Sequence, residues 1–328
     1  MQLHHRQHAA ALALAAAALT TTANAWAQES TPAIPGVVAA GTKIELIKEG
    51  FTGTEGPIAL PDGSFAFTET QANRITRIAP DGSTSTFLDN SNGANGLGFG
   101  AQGELYAVQV LKPRVGIVYP ASKAKVLVEQ FEGKPFGRPN DLVVSRQGSV
   151  YFTDSGAPPN AQAQPDTSPK PEVNKPAVYR IAPNGDVTRL ANDIERPNGI
   201  QLSPDDKVLY VANTAGEHVL AYDVATDGSV GPRRNFAKLE GWRKTETGGT
   251  SSGADGLAVD AAGRLYVAST VGIQVFSSTG DALGTIPLPK APQNLAFAGP
   301  DKKTLYVVGR GSAYKIAVLT PGLAGRAK

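Results

Sequence analysis

Short apolar runs recur along the chain, and each is preceded by one polar residue whose side chain carries an oxygen atom. These opening positions are separated by 40, 45, 58, 57 and 39 residues, in the order Glu55, Asn95, Asn140, Asn198, Asp255 and Asn294. Most are followed by a turn with Gly or Asp and then by a second apolar run. A period of about 40 residues with several short strands per unit is typical of propeller blades. The pattern therefore predicts an all-β fold, a six-bladed β-propeller.

The propeller is predicted to fill residues 43–320, and its last blade lacks an outer strand of its own. The expected blade limits are 55–89, 95–133, 138–194, 196–239, 253–288 and 293–320. Residues 43–48 form a good β run ahead of blade one, with no blade to join. Since pairing the two ends of the chain in one sheet removes an exposed strand edge, we expect this N-terminal strand to close the last blade. An arm lying on the surface is the alternative.

Two inserts interrupt the regular spacing of the blades. One covers residues 156–176 and is rich in Pro, Ala and Gln, and the other covers residues 240–252 and contains Trp242. Loops that leave second strands and loops that enter first strands lie on the same face of a propeller. We therefore expect both inserts to flank the opening positions as a lid or substrate wall, with ordinary loop variation as the alternative.

The first 27 residues have a different character from the rest of the chain. Arg6 precedes an apolar run at residues 9–19, which is too short to span a bilayer, and small residues follow at 23–27. This predicts a secretory signal peptide over 1–27, cleaved after Ala25 or Ala27, and a periplasmic or secreted protein. A linker over 28–42 and a C-terminal tail over 321–328 are expected to flank the propeller.

Composition narrows the classes of function. The 31 basic and 29 acidic residues nearly balance and form no basic tail, so no nucleic acid is expected as a partner. No later segment is expected to cross a membrane. We expect a small molecule as the partner, namely the substrate. The sequence does not determine the oligomeric state. Cysteine is absent, which excludes disulfides and thiol chemistry. Beyond the signal peptide the one histidine is His218, within a predicted strand; a Cys/His zinc site and a Ser-His-Asp triad are therefore disfavoured.

Six opening positions around one axis would form a ring of oxygen-bearing side chains. Glu55, Asn140, Asn198 and Asp255 would supply two negative charges and two neutral oxygens, and water or substrate would complete the coordination. An Asx turn would explain a single Asn or Asp but does not call for Glu55. The ring therefore predicts one divalent cation, with Ca²⁺ expected and Zn²⁺, Mg²⁺ or Mn²⁺ as alternatives.

The motifs at four blade openings resemble those of the senescence-marker-protein/gluconolactonase/regucalcin-like family of calcium-dependent six-bladed propeller lactonases. They read Glu55-Gly-Pro, Arg138-Pro-Asn-Asp, Arg196-Pro-Asn-Gly and Ala254-Asp-Gly, and the similarity runs over about residues 43–320. The resemblance implies that Glu55, Asn198 and Asp255 are metal ligands. It implies that Asn140 is a ligand or a substrate contact beside the metal, and that Arg138 contacts substrate.

The predicted function is that of a secreted, metal-dependent hydrolase that opens a lactone ring, with a sugar lactone as the expected substrate. The metal would polarise the carbonyl group for attack by water, and Asp255 would act as general base, as nucleophile or only as ligand. Arg138, Asn140, Asp154 and Trp242 are the expected substrate contacts. The alternatives are a phosphotriesterase or aryl esterase on the same calcium site, and a non-enzymatic ligand-binding propeller.

Overall fold

The computed structural model describes residues 30–157, 172–246, 248–326 and 328. In this part of the chain the strands form six four-stranded sheets and two short two-stranded ribbons. Neighbouring strands within the sheets are antiparallel, and the all-β six-bladed propeller predicted from the repeat is confirmed. The predicted signal peptide and residues 158–171 of the first insert lie outside the described residues.

Each blade is built from strands that are consecutive in the chain, except at the closure. The strands as far as the second blade are β1 (Ile44–Glu49), β2 (Thr54–Ala59), β3 (Phe65–Glu69), β4 (Arg74–Ile78), β5 (Thr84–Asp89), β6 (Ala94–Phe99), β7 (Leu105–Gln109), β8 (Arg114–Tyr119) and β9 (Lys125–Val128). A single 3₁₀ turn covers Ala121–Lys123. Blade one is β2 to β5 and blade two is β6 to β9.

The third and fourth blades follow a short ribbon. Their strands are β10 (Gln130–Phe131), β11 (Lys134–Pro135), β12 (Pro139–Val144), β13 (Val150–Asp154), β14 (Ala177–Ile181), β15 (Val187–Ala191), β16 (Pro197–Leu202), β17 (Val208–Asn213), β18 (His218–Asp223) and β19 (Arg234–Lys238). Blade three is β12 to β15 and blade four is β16 to β19, while β10 and β11 pair with each other. His218 begins β18, as its sequence context predicts.

The last two blades follow a second ribbon, which the insert at 240–252 forms. The strands are β20 (Arg243–Lys244), β21 (Thr250–Ser251), β22 (Leu257–Val259), β23 (Leu265–Ser269), β24 (Gly272–Phe276), β25 (Ala282–Ile286), β26 (Asn294–Ala298), β27 (Thr304–Gly309) and β28 (Ser312–Ala317). Blade five is β22 to β25, and β26 to β28 are the inner three strands of blade six.

The N-terminal strand closes the ring of blades. The sheet order in blade six is β1-β28-β27-β26, and β1 runs antiparallel to β28 with Ile44 opposite Ile316 and Leu46 opposite Tyr314. The predicted closure is confirmed. It covers the outer edge of β28, so the first and last parts of the propeller are held in one sheet.

The segment predicted as a linker belongs, from residue 30 onward, to the folded body. Thr31 and Thr42 are joined by a backbone hydrogen bond, and Ile34 pairs with Val38 in an isolated bridge. Ile34, Val37 and Val38 are buried in the apolar cluster that also contains core residues of blades five and six. Burial of these three apolar side chains explains why the segment packs against blades five and six and does not extend into solvent.

Packing between neighbouring blades fixes the first strands around the axis. Phe65 of blade one stacks on Tyr306 of blade six with ring centroids 4.5 Å apart. Tyr266 of blade five meets Phe297 of blade six edge-on at 5.1 Å. Every residue of β2 and β16 is buried, so the residues that open these strands are held on a rigid support.

A search of the described residues for a long apolar helix that could span a membrane finds none.

The predicted C-terminal tail packs under the face opposite the strand openings. Gly322 bridges Asp260, and Arg326 donates to the carbonyl oxygen of Leu202 at 2.6 Å and pairs with Asp206. Residues 323–326 line a cavity of about 750 Å³ on this face. Lys328 is buried and its ammonium group pairs with the carboxylate of Asp141 in β12.

Candidate metal and substrate site

The structure brings the six opening positions together around the axis. Glu55, Asn95, Asn140 and Asn198 are each the second residue of the first strand in their blade. The amide nitrogen of Asn95 donates to the carbonyl oxygen of Asn140 at 2.8 Å. The two remaining openings lie at blades five and six, where Asp255 precedes β22 and Asn294 begins β26. The predicted ring is therefore present.

Glycines let neighbouring openings approach one another. A methyl carbon added at Gly56 would lie 1.8 Å from the carbonyl oxygen of Asn95, and one added at Gly256 would lie 2.0 Å from Oδ1 of Asn294. These separations are far below van der Waals contact, so only a residue without Cβ fits there. The Gly that follows most openings in the sequence thus has a packing reason at the axis.

Irregular pairing turns the opening side chains out of the sheets. The register between the first and second strands shifts from Glu55 to Ile58 in blade one, and equivalent shifts follow Pro139 and Pro197 in blades three and four. An extra residue in one strand breaks the alternation of side chains and re-aims one of them. The openings can therefore face the axis although the rest of each strand packs between sheets.

Glu55 is the most constrained carboxylate of the ring. Its Oε2 accepts a hydrogen bond from Nδ2 of Asn294 at 3.3 Å, and its Oε1 accepts one from Nε2 of Gln293 at 3.4 Å. Burial raises its pKa to about 7, while the bond from Asn294 and the charges of Lys328 and Arg138 oppose that rise. The side chain is thus fixed in place and short of positive charge.

Asn198 and Asp255 each carry a buried oxygen without a partner. No described residue donates a hydrogen bond to Oδ1 of Asn198 or to Oδ1 of Asp255, although the amide nitrogen of Asn198 donates to Oγ1 of Thr214 at 3.1 Å. Burial, and then the charge of Glu55, raise the pKa of Asp255 well above its usual range. Buried acceptors normally find partners because leaving one unpaired is costly.

These features fit a divalent cation in the ring. Two carboxylates that repel each other, the buried Glu55 and the partly buried Asp255, and the unpartnered amide oxygen of Asn198 are hard oxygen donors of the kind that such an ion prefers. Asn140, 9% exposed, stands in the same ring. The described residues contain no cluster of three or more His, Cys, Asp or Glu side chains suited to a metal, so the donor set rests on two acids and on amide oxygens.

Asp154 ends the second strand of blade three, as predicted, and backbone groups occupy its carboxylate. Its side chain is fully buried, and its carboxylate accepts hydrogen bonds from the backbone N–H groups of Gly137, Arg138 and Gly156 at 2.8, 2.7 and 2.9 Å. Burial raises its pKa. This arrangement fits a role in holding the turn that carries Arg138, and it gives no support to the predicted contact with substrate.

The insert with Trp242 lies on the same face as the ring, as predicted for it. The indole N–H of Trp242 donates to the carbonyl oxygen of Ala215 at 3.1 Å, and the ring is 43% exposed. Ser252, at the end of the insert, donates its backbone N–H to Thr214 at 2.9 Å. Arg138 is partly buried beside Asn140. That Trp242 and Arg138 touch substrate stays a prediction.

Three residues that hold the site were not predicted from the sequence. Gln293 links Glu55 to the turn at Arg310, whose backbone N–H it accepts at 2.8 Å. Thr214 donates to the carbonyl oxygen of Ala254 at 2.7 Å while accepting from Asn198. Lys328 neutralises Asp141 close to the ring. Gln293 and Thr214 lie next to residues of the repeat, so the repeat could have pointed to them as site residues. Lys328 lies outside every repeat, so no sequence pattern pointed to it.

Known proteins are similar to this chain over most of its length. The SMP-30/Gluconolactonase/LRE-like region matches residues 53–310. A gluconolactonase of Zymomonas mobilis is 29% identical over 313 residues, covering 89% of this chain and 86% of its own.

Solved structures give the same result. A gluconolactonase from Xanthomonas campestris is 27% identical, with a TM-score of 0.73, covering 88% of this chain and 96% of its own. A regucalcin from Agrobacterium tumefaciens, named a calcium-binding protein, is 19% identical, with a TM-score of 0.67 over 86% of this chain and 97% of its own, and shares the fold. With most of its length matched, the chain belongs to the SMP-30/gluconolactonase/LRE-like family.

Proposed function

We propose that the protein is a divalent-metal-dependent hydrolase that opens the ring of a sugar lactone. The observation that carries this proposal is a ring that contains the buried carboxylate of Glu55, the partly buried Asp255, and two buried oxygens without a hydrogen-bond partner among the described residues. Membership of the family and the similarity to a gluconolactonase over most of both chains support the reaction class.

The residues that would hold the metal are Glu55, Asn140, Asn198 and Asp255. Their oxygen atoms suit Ca²⁺, which takes carboxylate and amide oxygens and keeps positions for water or substrate. When bound there, the cation supplies a Lewis acid that polarises the lactone carbonyl and stabilises the oxyanion that forms on attack.

The protein's own groups orient the substrate and move the proton. Arg138, held through its backbone by Asp154, binds a hydroxyl or carboxylate group of the substrate. Asp255 would use the two oxygens of its carboxylate for different tasks, one as a ligand of the metal and the other as a proton acceptor. It takes the proton of the attacking water as the new C–O bond forms, and returns it to the ring oxygen when the ester bond breaks. The product is an open hydroxy acid.

Export is a separate part of the proposal. Residues 1–27 have the composition of a secretory signal peptide, and we propose that the mature protein is periplasmic or secreted. Fractionation of expressing cells and N-terminal sequencing test this: a mature chain that begins at residue 26 or 28 is expected, and an intact N-terminus in the cytoplasm would contradict it.

The activity is tested on purified protein with D-glucono-1,5-lactone, an aryl ester and an organophosphate triester, against the spontaneous rate of each. We expect lactone hydrolysis that chelator abolishes and calcium restores. Hydrolysis of the ester or the triester alone would favour the esterase alternative. Failure on all three, with metal bound by elemental analysis, would favour a ligand-binding propeller. Full activity of demonstrably metal-free protein would contradict the metal-dependent reaction.

A further inference from the structure

We infer that the face opposite the ring carries a second binding site, which takes a small amphipathic anion, a carboxylate or phosphate group joined to an apolar body. The site is the cavity of about 750 Å³ beside residues 323–326, here called the basal cavity. Lys302, Arg326 and Arg146 receive the anionic group, and apolar side chains next to them hold the body. The inference does not depend on the proposed hydrolysis.

The basal cavity lies away from the ring of opening residues. It is lined by residues 323–326 and by loops that follow the first strands of four blades, at residues 59–63, 99–103, 144–146 and 299–302. Glu55 lies near the start of β2, and Ala59 ends that strand at the cavity, so about 13 Å of extended chain separate the two. Since β2 is buried along its whole length, a ligand of the basal cavity is separate from a substrate at the ring.

Three basic side chains converge on one side of the basal cavity. Lys302, Arg326 and Arg146 all line it. The carboxylate of Asp206 accepts the backbone N–H of Arg146 at 2.8 Å and pairs with the guanidinium group of Arg326. The ammonium group of Lys302 donates to the carbonyl oxygen of Arg326. The three basic residues therefore belong to one hydrogen-bonded unit, which fixes them relative to one another.

The positive charge of this unit exceeds the negative charge that faces it. Asp206 balances one of the three basic groups, and Asp62 of the lining already pairs with Arg77 at 2.7 Å. No carboxylate of the described residues pairs with Lys302 or Arg146. These two side chains thus leave two positive charges without a partner at the wall of the same cavity.

The basic groups also act against one another. Burial lowers the pKa of Lys302, and the charge of Arg326 lowers it further. Burial likewise lowers the pKa of Arg326, where the charge of Asp206 opposes the effect and that of Arg146 adds to it. Like charges held together disfavour each other, and a bound anion relieves the repulsion. The arrangement is therefore suited to an anionic group.

Hydrogen-bond donors for such a group are available in the unit. The ammonium group of Lys302 has three N–H donors, and the carbonyl oxygen of Arg326 accepts from one of them. Arg146 donates to Asp206 through its backbone, so among the described residues no acceptor occupies its guanidinium group. A guanidinium group presents paired donors that match the oxygens of a carboxylate or phosphate. Both chemical classes of head group fit these donors.

The rest of the lining is mostly apolar. Leu60 is 7% exposed, and Phe99, Val144 and Leu323 are half-buried around the same space. Pockets of roughly 300–1,000 Å³ with apolar walls and a few polar groups are typical of small-molecule sites. An inorganic anion would leave most of this wall in contact with water. The apolar wall beside the basic unit therefore fits a molecule with one anionic end and an apolar body.

Titration calorimetry on the metal-loaded mature protein tests the site with four probes. Octanoate and octyl phosphate carry both an anionic group and an apolar chain, whereas 1-octanol has only the chain and acetate only the anion. We expect one equivalent of octanoate or octyl phosphate to bind at least about tenfold more tightly than 1-octanol or acetate. The affinity should fall as ionic strength rises. The tighter of the two amphipathic anions identifies the preferred head group.

Variants with matched controls then place the binding in the basal cavity. Arg146→Gln removes a charge and Leu323→Ser removes part of the apolar wall, and each should weaken octanoate binding about fivefold. Arg234→Gln removes one positive charge from an outer strand, where Arg234 pairs with Asp223. Leu319→Ser changes a 51% exposed leucine outside the cavity. Both controls should keep the wild-type affinity, and melting temperatures check that all four variants are folded.

Competition with D-gluconate separates the basal cavity from the ring. Gluconate should leave the octanoate affinity unchanged, and Arg146→Gln should hydrolyse D-glucono-1,5-lactone at the wild-type rate. Displacement of octanoate by gluconate, or equal losses in the variants and their controls, would overturn the basal site. Binding of 1-octanol or acetate as tightly as octanoate, or no binding of any probe, would overturn it as well. None of these outcomes decides whether the ring hydrolyses a lactone, which the activity assay tests separately.

Discussion

The two acidic residues of the ring have different surroundings, and the difference separates their tasks. Both oxygens of Glu55 accept hydrogen bonds, from Gln293 and Asn294. Oδ1 of Asp255 accepts none from the described residues. Glu55 is thus held as a proposed ligand, while Asp255 has an oxygen that a metal ion can occupy, which leaves its second oxygen to orient a water molecule.

The first prediction compares isosteric variants of these two residues. Asp255→Asn removes the proton acceptor while keeping an oxygen ligand, so kcat should fall by about 10²-fold or more and stay low in excess calcium. Glu55→Gln removes only charge from a held ligand, so raised calcium should restore much of its activity. Calcium titrations of both variants, with circular dichroism as the check on folding, give the measurement. Equal rescue of the two would show that Asp255 is only a ligand.

The second prediction concerns pH and follows from the raised pKa values of Glu55, about 7, and of Asp255. The metal-free folded protein keeps protons that the unfolded chain loses near its ordinary values of about 4. Because the folded state then binds more protons, the free energy of unfolding contributed by these groups falls as pH rises from about 4 to about 7. A bound cation favours the ionised carboxylates and removes this loss.

Thermal melts of chelator-treated and calcium-loaded protein between pH 5 and pH 8 measure the effect. The gap in melting temperature between the two forms should widen as pH rises, because only the metal-free form loses stability through these carboxylates. The other titrating groups contribute to both forms, so their effects cancel in the difference. Glu55→Gln serves as the control and should flatten the dependence. A gap that stays constant as pH rises would mean that the carboxylates are already ionised in the metal-free protein.

The repeat indicated the ring positions, from which the ligands are predicted, because equivalent residues recur at equivalent places in the blades. Residues outside that register gave no such signal. Asp154 could be placed at the end of a second strand, but its task depends on the backbone of Gly137 and Gly156, which no local pattern encodes. The partner of Asp141 is 187 residues away in the chain, and such a pairing is a product of the tertiary fold.

At the scale of elements, the closing strand is the point where the ends of the propeller depend on each other. Ile44 is 5% exposed and lies opposite Ile316 in the β1–β28 pairing, while Leu46 of the same strand is 51% exposed. The closing strand could be predicted because the β run at residues 43–48 precedes blade one and belongs to no blade of its own. The packing of residues 34–38 against blades five and six was not, because that short segment has no repeated pattern.

The third prediction uses this contrast within one strand. Ile44→Ala should lower the free energy of unfolding by about 2–5 kcal/mol, since it opens a cavity in the buried seam. Leu46→Ala, its matched control, should change stability by no more than about 0.5 kcal/mol. Urea unfolding followed by fluorescence compares them, and kcat of the folded fraction should be unchanged in both. Equal effects would show that β1 is not seated in the sheet in solution.

At the scale of the whole molecule, the C-terminal segment joins the face opposite the ring to the ring itself. Arg326 anchors it beneath blade four, and Lys328 carries a positive charge to Asp141, which follows the opening residue Asn140. Both members of this ion pair are almost fully buried. The overall fold followed from the blade repeat, whereas this link follows from burial of opposite charges that sequence spacing does not reveal.

The last prediction tests that link by a double-mutant cycle. Lys328→Met leaves the carboxylate of Asp141 buried without a countercharge, so unfolding should become easier by about 3–5 kcal/mol. Asp141→Asn in the same chain removes the stranded charge while its Oδ1 can still accept from the backbone N–H of Leu142, so the double variant should recover most of the loss. Calcium affinity should rise in Lys328→Met, because the positive charge of Lys328 repels a divalent cation in the ring more strongly than it opposes the protonation of Glu55. Wild-type stability and affinity in Lys328→Met would mean that Lys328 is not buried against Asp141 in solution and that another group balances the charge of Asp141.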